Sequence, residues 1–394
     1  MTNRTTSSRI GLLAALTAGT LALAVGCTSG DGGDGGSTGN GDSGGDGGET
    51  YTVAQVRWEA GDIFFNGVAA GEEAAFSQIE ADNGVTIDIK TVAANDAGEQ
   101  VNGLQQLQTA GVDGVSLVSW RGESMVSIVE QLTNEGIPVV VHNVAVPGAS
   151  APFVAFDNVE AGRLAGEAMV AGIEEARGAS WAADGGTILL LRGDITASFD
   201  MDRYEGYMSV LQPLADENPN LTIEVRADLG YQGEPARGAV ADQITADGAD
   251  NILGVGSVDG TMAVGGAIPA LKTGGAVVGS GENAVAVTSI DCSQAELDSI
   301  TAGELTHCSE QPALAEGELV AALLWDMMSN GTTTPSDGVE SIDGWDGMPW
   351  APVEVTTRED IEGPWYKTQA FAVPGDLDPA APEHWAIASE ASGE

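Results

Sequence analysis

Short runs rich in Val and Ile alternate with longer amphipathic stretches through most of this 394-residue chain, and this alternation constrains its fold most strongly. It predicts strands over residues 51–57, 85–92, 114–119, 137–142, 187–192, 221–227, 251–256 and 276–279. It predicts helices over 63–82, 97–110, 122–135, 158–178, 201–217, 233–247 and 260–272. Strands that alternate with such helices form parallel sheets with right-handed crossovers. Two blocks of about equal size therefore predict an α/β fold with two similar doubly wound lobes.

The region from Gly331 onward breaks this alternation. It is rich in Pro and Gly and carries Trp345, Trp350, Trp365 and Trp385. We expect irregular structure packed on the surface of the second block and no third domain.

The amino terminus has the features of a secretory signal peptide over residues 1–26. Arg4 and Arg9 precede an apolar run of 17 residues that ends in small residues before Cys27. Residues 23–27 (LAVGC) resemble a bacterial lipobox, which implies that Cys27 is lipidated, although Ala24 replaces the commoner Leu. The alternative is an uncleaved transmembrane helix, for which the run is at the short limit.

Residues 27–50 consist almost entirely of Gly, Asp, Ser, Thr and Asn after the cysteine. Such a composition has nothing to bury and predicts a flexible tether with a reach of about 25 Å. The expected location is therefore extracytoplasmic, with a lipid anchor in the outer face of the cell membrane.

The net charge of −45 excludes several classes of partner. Binding to nucleic acid requires clustered Lys and Arg, as does polybasic contact with anionic lipid. Only three lysines occur, at Lys90, Lys272 and Lys367. Such a surface suits a high-salt habitat or an ordinary acidic extracellular protein, and both remain open.

Besides Cys27, the chain contains Cys292 and Cys308, which lie 16 residues apart. In an oxidising compartment this pair is a candidate disulfide, and two buried thiols are the alternative. Three histidines and no Cys-x-x-Cys motif indicate no zinc site, and we expect no metal and no cofactor.

Signatures of common enzymes are missing from the sequence. It has no P-loop, no Gly-x-Gly-x-x-Gly after the first strand and no Gly-x-Ser-x-Gly elbow. Carboxylates are so abundant that a pair of them carries no information. We therefore expect a binding protein, with a secreted enzyme on the same scaffold as a minor alternative.

Candidate binding residues follow the predicted strands, because open α/β sheets bind ligands at the carboxyl ends of their strands. These candidates are Trp58, Asp62, Phe64, Phe65, Trp120, Arg121, Asn143, Arg203, Asp259 and Glu282. Aromatic rings with Asp, Asn and Arg suit a polyhydroxylated ligand. Each has a structural alternative: core packing for a Phe, sheet-edge cover for Trp120, helix capping for Asp62 or Asp259, and surface pairing with Glu205 or Asp202 for Arg203.

Several short motifs resemble the sugar-binding proteins of bacterial ATP-driven transporters, in the ribose/galactose group of type I periplasmic binding proteins. The matches, in order, are 62–75 (DIFFNGVAAGEEAA), 110–116 (AGVDGVS), 136–141 (GIPVVV), 154–162 (VAFDNVEAG), 203–207 (RYEGY), 259–267 (DGTMAVGGA) and 311–312 (QP). Each motif is weak alone, and their order and spacing over residues 51–330 carry the resemblance.

The resemblance implies sugar contacts at Asp62, Phe64, Phe65, Asn143, Arg203, Asp259 and Gln311. An expected Asp falls near Gly281, where Glu282 is the substitute. Val144 stands where ribose binders have Arg, so ribose itself is disfavoured. Another pentose, a hexose, a polyol, a cyclitol or a furanosyl signal remain open.

The family also implies three crossovers, near Phe156–Asp157, Gln311–Pro312 and Pro352–Val353. The first lobe then comprises residues 51–156 with 312–352, and the second 157–311 with 353–394. Ligand closes the hinge, and a membrane permease of the ABC type recognises the closed, monomeric protein. A receptor that presents ligand to a chemotaxis or kinase sensor is the alternative. A repressor of this fold is disfavoured, because residues 1–50 offer no basic helix-turn-helix.

Overall fold

The computed structural model describes residues 48–58 and 63–373. The predicted signal peptide, Cys27, Asp62, Trp385 and all but the last three residues of the tether lie outside these ranges. The strands are β1 (Thr50–Arg57), β2 (Thr86–Ala93), β3 (Gly114–Leu117), β4 (Val139–His142), β5 (Phe153–Phe156), β6 (Gly186–Leu191), β7 (Leu221–Arg226), β8 (Ile252–Ser257), β9 (Ala286–Asp291), β10 (His307–Glu310), β11 (Glu354–Thr356), β12 (Trp365–Thr368) and β13 (Phe371–Ala372).

The α-helices are α1 (Ile63–Asn83), α2 (Ala97–Ala110), α3 (Gly122–Asn134), α4 (Asn158–Arg177), α5 (Trp181–Asp184), α6 (Ser198–Glu217), α7 (Gly233–Asp247), α8 (Gly260–Met262), α9 (Ile268–Thr273), α10 (Gln294–Thr301) and α11 (Ala313–Asn330). A 3₁₀ turn spans Ala249–Asn251, and a π-helical turn (Ala263–Ala267) joins α8 to α9. The predicted helix at 260–272 therefore exists, with a π-helical turn inside it.

The strands form two sheets with the same internal order. The first sheet runs β11-β12-β5-β4-β3-β1-β2 and the second β13-β10-β9-β8-β6-β7. Every neighbouring pair is parallel except β11 with β12 and β10 with β13. The first five strands of each block thus pair in the order 2-1-3-4-5, a doubly wound arrangement. This confirms the predicted fold class of two similar parallel-sheet lobes.

The strand predicted at 276–279 is wrong. Residues in this segment make a single bridge, between Val278 and Val285, and the strand that joins the sheet is β9. Gly279 and Gly281 have φ angles of 81° and 112°, which interrupt an extended chain. The buried run that follows them supplies the ladder to β8 and β10.

Two pairs of helices pack at backbone contact through glycines. A Cβ on Gly71 of α1 would lie 2.1 Å from the Leu314 carbonyl oxygen, near the start of α11. A Cβ on Gly162 of α4 would lie 2.0 Å from the Arg203 carbonyl oxygen of α6. Each lobe therefore contains a helix pair at backbone contact, and the α4–α6 pair in the second lobe fixes the backbone of Arg203.

The chain passes between the sheets three times. It leaves the first sheet after Phe156 and the second after Glu310, near the first two predicted crossovers. The third crossing lies between Thr368 and Phe371, later than the predicted Pro352–Val353, because β12 pairs with β5.

The prediction that the region from Gly331 onward, here called the tail, packs irregularly on the second lobe is also wrong. The strands β11 and β12 extend the first sheet at its β5 edge. Trp345 and Trp350 are buried against a first-lobe cluster that includes Val53 and Phe76. The apolar tryptophans find their burial there, which local sequence cannot reveal.

Cys292 and Cys308 form a disulfide, with their Cα atoms 5.4 Å apart. This confirms the predicted bond over the alternative of two thiols. Among the helices of residues 48–58 and 63–373, none combines the length and hydropathy needed to cross a membrane.

Candidate ligand-binding site

Aromatic side chains from both lobes meet at the carboxyl ends of the strands. Trp58 follows β1 and lies 4.7 Å from Trp120, which comes after β3 (ring centroids). From the second lobe, Phe199 and Tyr231 approach Trp58 at 6.5 Å and 6.2 Å. The tilted contacts of these rings build an apolar wall shared by the two lobes.

Phe64 and Phe65 lie in the first turn of α1, behind this wall. Phe65 is 4.9 Å from Trp58, and Phe64 is 5.2 Å from Phe65. Both are nearly buried, in a cluster that also includes Val144 and Phe199. Both phenylalanines therefore pack in the core, which is the structural alternative considered for them.

Arg203 is the polar centre of the second lobe and is 3% exposed. Its Nε donates to Asn158 Oδ1 (2.8 Å), its Nη1 to the Val258 carbonyl (2.7 Å) and its Nη2 to Gln311 Oε1 (2.6 Å). The guanidinium carbon also lies 4.9 Å from the centre of the Phe199 ring, a cation–π contact. These partners fix the guanidinium plane against the aromatic wall.

The surface pairing considered for Arg203 is not what the structure contains. Its acidic neighbour on the helix, Asp202, instead pairs with Arg358 of the β11–β12 connection. The acidic partner of Arg203 is Asp291, with Nη1 and Oδ1 3.2 Å apart.

Asp291 was missed by sequence reasoning. It ends β9 and so lies at the carboxyl edge of the second sheet, and its other oxygen accepts from the Gly260 N–H at 3.3 Å. The available signal was the mostly apolar run 284–290 (AVAVTSI), followed directly by Asp. The misplaced strand at 276–279 had assigned this edge position to the neighbourhood of Gly281.

Glu282 is not brought to the site. It is exposed in the segment before β9, where Asn283 bonds to Ala176 and Arg177 at the end of α4. Since α4 begins beside Arg203 and ends 19 residues later, this is the amino edge of the second sheet. The carboxylate at the correct edge is that of Asp291.

Asn143 and Asp259 occupy strand-end positions with different local roles. Asn143 follows β4, is buried and has a φ of 60°, a left-handed conformation that Asn tolerates. The Asp259 side chain accepts from the Met262 N–H at 2.9 Å and so caps α8. The capping alternative considered for Asp259 is therefore present in the structure.

Polar contacts also join the lobes around the site. Arg121 Nη2 lies 3.7 Å from Asp194 Oδ2 at the exposed rim. The Ala145 N–H donates to Ser198 Oγ at 3.0 Å, in a buried contact. The pair of Asp202 and Arg358 also crosses between them, and burial raises the pKa of the Asp202 carboxyl while Arg358 opposes that shift.

A second polar cluster is buried in the first lobe. Ser116 Oγ donates to Glu72 Oε1 at 2.7 Å and lies 3.0 Å from His142 Nε2, and His142 Nδ1 is 3.1 Å from Glu316 Oε1. Burial raises the pKa of the Glu72 carboxyl. Although the order Ser–His–Glu resembles a catalytic triad, Ser116 is fully buried and donates its hydrogen bond to Glu72. We therefore interpret this cluster as structural.

Residues 48–58 and 63–373 contain no group of three or more His, Cys, Asp or Glu that could hold a metal ion. The site offers aromatic faces, a fixed guanidinium and amide groups. Such groups suit a ligand rich in hydroxyls.

Residues 53–332 match the model of the periplasmic binding protein domain family, and the chain belongs to this family. It is 25% identical over 248 residues to the D-xylose-binding periplasmic protein of Escherichia coli (strain K12), a match that covers 62% of this chain and 70% of that protein.

Solved structures share the fold at low identity. A substrate-binding protein of a sugar ABC transport system from Bordetella parapertussis is 16% identical with a TM-score of 0.64, over 86% of this chain and 93% of that one. A solute-binding protein from Bacillus halodurans with bound myo-inositol is 19% identical with a TM-score of 0.59, over 72% and 91%.

Proposed function

We propose that this protein is an extracytoplasmic solute receptor that binds a small sugar, polyol or cyclitol between its two lobes. Hinge closure around the ligand would then present a closed form to an ABC-type permease. Binding without chemical conversion of the ligand is part of the proposal.

One observation carries it. The Gln311 side chain is buried beside Arg203, and its Nε2 has no hydrogen-bond partner among the described residues. A buried amide nitrogen normally has a partner, so this donor calls for a ligand oxygen. The oxygen of a sugar hydroxyl suits it, with the rings of Trp58 and Phe199 packing on the C–H faces of the sugar.

The relatives support this ligand class. The ligands in their names, D-xylose and myo-inositol, are neutral and rich in hydroxyls. The assigned contacts are Trp58, Asp62, Phe64, Phe65, Trp120, Arg121, Asn143, Arg203, Asp259 and Gln311, with Asp291 in place of Glu282.

The moving parts follow from sheet membership. We assign residues 51–156 with 312–368 to the first lobe and 157–311 with 371–373 to the second. The pair of Asp202 and Arg358 and the bond from Ala145 to Ser198 would hold the closed form.

Anchoring by a lipid on Cys27 and a monomeric state complete the proposal. A Cys27→Ala variant expressed in a bacterial host should lose metabolic labelling with palmitate and leave the membrane fraction. Light scattering after gel filtration tests the monomer, and a stable dimer would contradict it.

A signalling receptor is the second candidate. A fructose-binding periplasmic domain of a hybrid two-component system shares the fold, at 20% identity and a TM-score of 0.57. Crosslinking in the native host distinguishes the two, since the ligand-bound protein should capture a permease subunit in one case and a sensor kinase in the other.

Calorimetric titration of the purified protein with D-xylose, D-allose, D-fructose and myo-inositol tests the binding function directly. A second measurement is urea unfolding with and without ligand: a ligand at 100 times its dissociation constant should add about 2.7 kcal/mol to the free energy of unfolding. Silence of every sugar, polyol and cyclitol, with a response to amino acids or nucleosides, would reject the proposed ligand class.

A further inference from the structure

The disulfide lies directly beside the polar centre of the candidate site. Cys292 follows Asp291, and Cys308 lies three residues before Gln311. Both of these neighbours contact Arg203, Asp291 at Nη1 and Gln311 at Nη2. The bond thus ties together the two strand ends that orient the guanidinium.

The backbone at this point leaves the parallel ladder. Asp291 is paired with Glu310, so an extended chain would place Cys292 opposite Gln311. Instead, Cys292 is bonded to Cys308, which lies three residues earlier on β10. The chain must therefore turn back immediately after β9.

The turn uses a backbone conformation that residues other than glycine rarely adopt. The φ angles of Asp291 and Cys292 are 123° and 61°. Such residues persist where the surrounding structure holds them. In this conformation, the Asp291 carboxylate reaches both Arg203 and the Gly260 N–H at the start of α8.

We propose that the Cys292–Cys308 disulfide is a positioning element of the ligand site, because it holds in place the carboxylate of Asp291, one of the proposed contacts. The carboxylate fixes the guanidinium of Arg203 toward the cleft, and the disulfide maintains the left-handed turn that aims the carboxylate. This inference rests on the proposed function, since it assigns a support to the same site.

Four variants of the full protein test it: Asp291→Asn, Cys292→Ala with Cys308→Ala, the triple combination, and Leu221→Ala. The last removes a buried side chain at the amino end of β7 and controls for a general loss of stability. Affinity is measured by calorimetry with D-xylose, D-allose and myo-inositol, and folding by circular dichroism.

We expect Asp291→Asn and the double cysteine variant each to weaken binding tenfold or more while remaining folded at 25 °C. Because both act through one carboxylate, the triple variant should bind within about threefold of Asp291→Asn. Wild-type affinity in the double cysteine variant, or losses that multiply in the triple variant, would overturn the proposal.

A readout without ligand separates this inference from the proposed function. Exchange of the Arg203 Nε–H with solvent, followed by NMR and assigned with Arg203→Lys, should be faster in Asp291→Asn and in the double cysteine variant than in Leu221→Ala. If no sugar binds the wild type, the proposed ligand class fails and this exchange still decides the positioning role. Equal exchange in all of these variants would reject that role.

Discussion

Arg203 Nη2 donates to Gln311 Oε1 at 2.6 Å, and this bond joins α6 to the segment where the chain leaves the second sheet for α11. Under the proposed function, a ligand group held by these two side chains would lie beside a crossover between the lobes. Binding and closure would then be linked through that position, since contacts that favour one arrangement of the crossover shift the population of both states.

The first prediction concerns Gln311→Leu. The change keeps the approximate size of the side chain and removes both its bond to Arg203 and the donor proposed for the ligand. A hydrogen bond to a charged group contributes about 1.5–3 kcal/mol, so sugar affinity should fall tenfold or more. Calorimetry measures it, with exposed Gln105→Leu as the matched control, and equal affinities for the two variants would remove Gln311 from the site.

A second prediction separates the backbone and side-chain roles of Asn143. Its φ of 60° predicts that Asn143→Ala loses about 1 kcal/mol of unfolding free energy, because the Ala Cβ is disfavoured there. Asn143→Gly should retain stability and still bind sugar more weakly. Urea unfolding with parallel titrations checks this, and full affinity in the glycine variant would exclude a role for the amide.

Close helix packing supplies a third prediction. Gly162→Ala places a Cβ 2.0 Å from the Arg203 carbonyl oxygen, so α4 and α6 must separate, at a cost of about 3 kcal/mol in unfolding free energy. Gly238→Ala meets no atom within 4 Å on an exposed part of α7 and should add about 0.5–1 kcal/mol. Relative to wild type, the urea midpoint should fall for Gly162→Ala and rise for Gly238→Ala. An unchanged midpoint for Gly162→Ala would contradict the close contact.

The fourth prediction is a dependence of stability on pH. Burial, and secondly the charge of Asp291, raises the pKa of the Glu296 carboxyl to about 8 from 4.5. Between these values the folded protein holds a proton that the unfolded chain releases, so this contribution is complete below pH 4.5 and is lost as pH rises toward 8.

The difference in unfolding free energy between wild type and Glu296→Gln should therefore decline from pH 5 to pH 8, by on the order of 1 kcal/mol per pH unit. Urea titrations across this range measure the decline. A difference that is constant with pH would show that Glu296 is ionised in the folded protein throughout.

Closure provides the fifth prediction. Asp202 and Arg358 form a partly buried pair between the lobes, with 13% and 14% of their side chains exposed. Asp202→Asn should favour the open form, raise the radius of gyration of the ligand-free protein in small-angle scattering and weaken sugar binding several-fold. As the control, Arg237→Gln in the exposed pair with Glu234 on α7 should change neither quantity, since exposed pairs contribute little.

The sequence predicted most of what depends on local pattern. Alternating apolar runs located β1–β4 and β6–β8. The motif at 203–207, through its resemblance to the family, indicated Arg203. The pair of cysteines predicted a bond that the structure contains. Such features depend on periodicity and on residue type at short range.

The errors arose where pairing between strands far apart in the sequence determines the structure. The segment 276–279 satisfied the apolar pattern, but the residues that pair with β8 and β10 are Ala286–Asp291. Because the strand was misplaced, the sequence pointed to Glu282, whereas Asp291 lies at the carboxyl edge of the sheet. The tail joined the first sheet because β12 pairs with β5, more than 200 residues earlier in the chain.

The sequence by itself determined two parallel-sheet lobes, the aromatic residues after the first strand and the polar character of the site. Only the tertiary structure decided which carboxylate reaches Arg203, where the tail packs and which aromatic rings of the second lobe meet Trp58. The physical reason is that strand order and register are set by hydrogen bonding and burial between distant segments. An apolar run in the sequence shows that the segment must be buried, but not which segment buries it.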